Sequence, residues 1–91
     1  MRRHLEGYEW AEARGEIFTL YRDLGIDYED ERHRVQHALT GCPSLRYMTP
    51  AEHHKLIETL QEIALKPSDE QQKMLTGLLA LSRFDYYEID E

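Results

Sequence analysis

Apolar residues recur at three- and four-residue intervals over four stretches of this chain, and the polar residues between them carry signals that start and stop helices. The clearest stretch is 48–65, where Leu56, Ile57, Leu60, Ile63 and Ala64 share one helical face while Glu52, Lys55, Glu58, Thr59, Gln61 and Glu62 point elsewhere. Thr49 caps its first turn, Pro50 stands where a missing N–H costs nothing, and Glu52 completes a Thr-x-x-Glu capping box. The spacing predicts a helix over 50–65. Burying Leu56, Ile57, Leu60 and Ile63 contributes roughly 1.5–3 kcal/mol each, so this helix requires a partner surface. The other segments read as pieces laid against it.

Upstream, Ala13, Ile17, Leu20, Tyr21 and Leu24 share a face over 11–24, with Gly25 placed just past the helix end. Gly15 weakens that helix by about 1 kcal/mol relative to alanine, but the stripe outweighs it. Asp27 reads as the N-cap of a second helix over 28–40, with Glu29, Asp30 and Glu31 where the helix dipole favours acids. Its apolar face of Tyr28, Val35, Ala38 and Leu39 is thinner, and Gly41 followed by Cys42-Pro43 ends it. In the connecting loop, Leu45, Tyr47 and Met48 are more apolar than a free loop requires and are expected under the start of the third helix, Met48 as a hydrophobic staple. Ser68-Asp69-Glu70-Gln71 forms a second capping box before a fourth helix over 69–83. Its broad stripe of Met74, Leu75, Leu78, Leu79 and Leu81 gives it the look of the most buried element. A polar and aromatic leader, residues 1–10, and an acidic aromatic segment, residues 84–91, flank these helices. The expected fold is all-α, a single domain built as a small bundle of four short helices, with antiparallel neighbours because the connections are short.

Composition narrows the function. A length of 91 residues suits one domain with a modest core, and no apolar run approaches the roughly 18 residues of a membrane span. The opening MRRHLEGYEW lacks the apolar block of a secretory signal and carries Glu6 and Glu9, so a cytoplasmic location is expected. Cys42 is the single cysteine, which excludes an intrachain disulfide and a thiolate-rich zinc site. The formal charge of −7 argues against nucleic acid as a partner, because nonspecific affinity comes from cations that neutralise phosphates. Arg2 with Arg3, and Arg32 with Arg34, are short basic groups flanked by acids and read as solvated surface.

Candidate chemistry is sparse. His33 and His37 stand four apart, the spacing that brings two imidazoles to one metal, with Cys42, His53 and His54 as further donors to consider. There is no second clustered ligand motif and no glutamate inside the pair, so ordinary histidines are the favoured reading and no metal is expected. Capping explains Thr49 and Ser68, and helix starts explain the Glu29-Asp30 pair, so no catalytic residue and no cofactor are expected. Two surfaces remain. Phe84, Asp85, Tyr86, Tyr87, Glu88 and Ile89 read as a docking segment for a protein partner, since tyrosines supply contact area at low entropy cost and carboxylates select a basic surface. The competing reading has those aromatics simply closing the core. The unit of second helix, loop and third helix superficially suggests a helix-turn-helix, which would present Arg32, Arg34, His53, His54 and Lys55 to DNA. That face is poor in base-reading groups, and the loop is longer than the usual turn of about three or four residues.

Several successions of residues also carry a likeness: Ile17-Phe18-Thr19-Leu20-Tyr21-Arg22-Asp23-Leu24-Gly25-Ile26, Glu31-Arg32, Ala38-Leu39-Thr40-Gly41, Met48-Thr49-Pro50-Ala51-Glu52, and Leu56-Ile57-Glu58-Thr59-Leu60. Together, over about residues 14–62, they resemble the small helical module appended to phage single-strand annealing recombinases, and a small regulatory protein of transposing phages. Met48 stands where the module has leucine, and the fourth helix and acidic segment are additions. The resemblance implies a phage-type accessory module that binds another protein, and it carries over scaffold positions only. The expected function is thus a non-enzymatic protein–protein interaction module acting on a host or replication–recombination protein. The alternatives are a small DNA-binding regulator, an acidic mimic of nucleic acid, and a homodimer joined through the fourth-helix stripe.

Overall fold

The structure, a computed structural model, describes residues 7–81. They form α1 (Gly7–Leu24), α2 (Glu29–Thr40), α3 (Pro50–Ala64) and α4 (Ser68–Leu81), with a 3₁₀ turn at Leu45–Tyr47 before α3. There is no strand among the described residues, and the expectation of a small all-α bundle is met.

The start of α3 is built as its sequence specifies. The Glu52 N–H donates to Thr49 Oγ1 at 3.2 Å, the Thr49 N–H donates to Glu52 Oε1 at 2.9 Å, and Pro50 fills the first helical position. Two otherwise orphaned donors are thereby satisfied at no cost to the helix. Beyond the cap, Leu56, Leu60 and Ile63 are fully buried, and Ile57 packs at the edge of the same core. α3 achieves this because it touches α1, α2 and α4.

Helix pairing departs from the expected order. α1 packs chiefly on α3, and α2 on α4 and α3, so sequence neighbours are not the main partners. Apolar area explains it: Val35 is the buried aliphatic residue of α2, whereas α3 offers a continuous stripe to Ile17 and Tyr21 of α1. A short connection permits antiparallel contact, but the larger apolar surface takes the partner.

Both predicted glycine stops are present. Gly25 has φ +74°, its N–H donates to the Arg22 carbonyl at 3.2 Å, and the Ile26 N–H reaches back to the Tyr21 carbonyl at 2.9 Å. This is a Schellman motif, and its accompanying apolar pair, Ile26 and Tyr21, is buried. Gly41, at φ +78°, donates its N–H to the His37 carbonyl at 2.8 Å and closes α2 with the simpler left-handed cap.

Several local expectations are corrected. The N-cap of α2 is Tyr28, without a side-chain cap bond; the Asp27 carbonyl instead accepts from Arg32 Nη1 at 2.8 Å. Tyr28 is 71% exposed and takes no part in the apolar face. Leu45 and Met48 are buried in the core as expected, but Tyr47, the last residue of the 3₁₀ turn, is 54% exposed. α3 stops at Ala64, leaving Leu65 85% exposed. α1 begins at Gly7, so Trp10 of the expected leader is a helical residue packed against the core. α4 is not the most buried helix. It lies at the margin, mainly against α2, so Leu75 is buried while Met74 is 39% exposed. Its first turn is tied by Gln71, whose Nε2 donates to the Lys66 carbonyl at 2.8 Å and the Ala64 carbonyl at 3.3 Å.

A buried polar network joins α1 to α2. The Tyr21 hydroxyl donates to Gln36 Oε1 at 2.7 Å, and Gln36 Nε2 donates to the Pro43 carbonyl, so α1, α2 and the following loop share one amide. Thr40 Oγ1 extends this by donating to the Gln36 carbonyl at 2.7 Å while the Cys42 N–H donates to Thr40 Oγ1 at 3.1 Å. A buried amide is tolerable only when both ends are engaged, and Gln36 is fully buried. Tyr21→Phe should therefore cost about 1–3 kcal/mol in urea unfolding, and the Tyr21→Phe/Gln36→Leu double variant should cost less than the sum of the singles. Additive costs would contradict the shared network. Gly15→Ala should stabilise by about 0.5–1 kcal/mol by the same assay, because Gly15 is an exposed helical position where an added Cβ meets nothing within 4 Å.

Candidate functional site

α1 and α3 leave a groove where they diverge from the core. On α1, Glu9, Glu12 and Glu16 follow each other at helical spacing with Ala13 between them, and all three glutamates are exposed. α3 presents Pro50, His53, His54 and Ile57 at the matching spacing. The result is an open depression of about 310 Å³ with a largely apolar floor and a wall of carboxylates. No lysine or arginine lines it among the described residues.

The histidines of α3 diverge. His53 is 2% exposed, and its Nε2 lies 2.8 Å from the Leu45 carbonyl, which can only accept; the proton therefore sits on Nε2. Its ring centroid lies 5.8 Å from that of Trp10, with planes tilted by 56°. His54 is exposed, its Nε2 3.3 Å from Glu58 Oε2 one turn along. Gln61 Nε2, outside the groove lining, donates to Glu16 Oε1 at 3.2 Å and links α3 to α1.

A second cleft, between the end of α1, α2 and α4, is lined by Leu24, Val35, Leu75 and Leu79 with Glu31 at its edge. At about 70 Å³ it holds a few waters or one small side chain, well under the size of a metabolite site.

Phe84, Asp85, Tyr86, Tyr87, Glu88 and Ile89 lie outside the described residues. The residues expected on a DNA-facing surface do not converge. Arg32 is half-buried, bonded to the Asp27 carbonyl, with its guanidinium 5.1 Å from the Phe18 ring centroid, which Arg14 also covers at 4.5 Å. His53 turns inward, while Arg34 is half-buried and His54 and Lys55 are exposed. His33 is fully buried in α2 and Cys42 is buried in the loop after it. Among the described residues no group of three or more histidine, cysteine or acidic side chains is placed to hold a metal ion. No helix among them is long and apolar enough to cross a membrane.

The glutamate row is not apparent from periodicity alone, because Glu9 falls in the expected leader. Extending the first helix back to Gly7 reveals the row at once. Comparison with family models, with curated proteins and with solved structures finds no match.

Proposed function

We propose that this chain is a non-enzymatic protein–protein interaction module whose acidic surface receives another protein. The observation that carries the reading is the α1–α3 groove, where an apolar floor lies beside Glu9, Glu12 and Glu16. Apolar contact supplies affinity in such a depression, and carboxylates at its edge select the partner and speed encounter. The chain's charge of −7 acts in the same direction over longer range. The likeness of residues 14–62 to phage accessory modules supports a partner among host or replication–recombination proteins, with the acidic aromatic stretch from Phe84 to Ile89 as a second contact.

The DNA-binding alternative is disfavoured, since His53 is buried on the Leu45 carbonyl and Arg32 is engaged by the Asp27 carbonyl. Self-association has one supporting observation, the exposed apolar side chains of Leu65 and Met74 beside and on α4.

Affinity capture from a bacterial lysate, run beside gel shifts on duplex DNA at low and moderate salt, tests the proposal. The expected outcome is a protein partner released by raised salt and no DNA shift. Tight, salt-sensitive DNA binding with no captured protein would refute it, because phosphate contacts weaken steeply with salt. Sedimentation over a concentration series decides the self-association reading.

A further inference from the structure

Resting on the interaction-module reading, we infer that the α1–α3 groove receives an amphipathic basic helix of a partner protein, its apolar face on Ala13, Pro50 and Ile57 and its lysines or arginines against Glu9, Glu12 and Glu16. Spacing is the first argument. Glu9 to Glu16 covers about 10 Å of α1 at roughly 1.5 Å per residue, close to two helical turns, so cations at three- and four-residue intervals on a helix laid alongside meet the carboxylates in register. An extended peptide, whose alternate side chains repeat every ~7 Å, meets fewer of them per unit length.

Chemistry of the floor is the second argument. Ala13, Pro50 and Ile57 offer apolar surface without a donor, and the His53 Nε2–H is already given to the Leu45 carbonyl. A purely ionic ligand would leave that floor wet, whereas the apolar stripe of a helix covers it, the helix-in-groove mode of recognition. Charge is the third. Among the described residues the groove lining holds three glutamates and no lysine or arginine, a balance that favours a cationic helix over an anionic one.

The described helices of a second copy do not fit the groove as well. Arg14 and Arg32 are stacked on Phe18, Arg22 lies 3.9 Å from the Asp23 carboxylate, and Lys55 sits between Glu52 and Glu58 in sequence. The cations of α1 and α3 are thus set among aromatic or acidic neighbours and form no basic apolar stripe on those helices. An acidic or nucleic-acid occupant is repelled by the same glutamates.

The test uses the full chain and a fluorescent model helix of leucine and lysine at heptad spacing, with a leucine–glutamate helix and oligolysine as comparisons. Binding by anisotropy should be strong for the leucine–lysine helix, weaker for oligolysine and absent for the acidic helix. Glu12→Lys/Glu16→Lys should weaken it about tenfold or more, and Asp69→Lys/Glu70→Lys on α4 should change it less than about twofold, since both pairs alter net charge equally. Glu12→Gln/Glu16→Gln, with thermal melting as a folding check, gives an intermediate loss without charge reversal. Amide shifts on binding should cluster at residues 9–16 and 50–57. Equal losses from the α1 and α4 pairs, shifts centred on α4, or no binding of the basic helix would overturn the groove assignment. If a salt-released partner is still captured from lysate, the interaction-module reading stands without it; if neither is seen, both fall.

Discussion

Burial of the α3 stripe is the constraint from which the rest of the architecture follows. Leu56, Leu60 and Ile63 are all but removed from solvent, and each contributes roughly 1.5–3 kcal/mol by leaving water. No single helix covers them. α1, α2 and α4 each take a share, and the 3₁₀ turn adds Leu45 while Met48 closes the N-terminal end. A capping box at Thr49 fixes where α3 begins, so the start of its stripe is set by contacts local in sequence.

The groove is a by-product of the same geometry. The core-facing line of α1 runs through Tyr21 and Ile17 and continues, one turn at a time, to Ala13 and Glu9. Large apolar groups thus give way to a methyl and then a carboxylate as the helix moves away from the centre. α3 changes likewise, from Leu60 and Leu56 to His53 and the Pro50 start. Toward the starts of both helices Trp10 still packs beside His53, but next to that contact an open depression is left, edged by acids. Structure and proposed recognition are therefore one gradient along two helices.

Helix existence was legible in the chain because periodicity, caps and stops agreed at α1 and α3, and because Gly25 and Gly41 occupy conformations that favour glycine. What was not legible depends on contacts distant in sequence. Gln36 looks like an outward polar residue until Tyr21 and the Pro43 carbonyl are brought to it. α4 carries a stripe fit for a core, but burial depends on how much partner surface is left, and α2 has little to give. Asp27 has a good capping side chain, yet the chain crosses that point with Tyr28 in the capping position. The groove escaped notice for a similar reason, since its two walls lie on helices separated by the whole of α2.

Native-state hydrogen exchange, followed residue by residue as denaturant is raised, tests most directly whether α3 is the element on which the bundle is assembled. Amides between Leu56 and Ile63 should exchange only by global unfolding, with α4 opening at lower free energy because it buries less. If the α3 amides exchanged through a cheaper local opening while α1 or α4 stayed protected, the bundle would be organised around another helix and the account would be wrong.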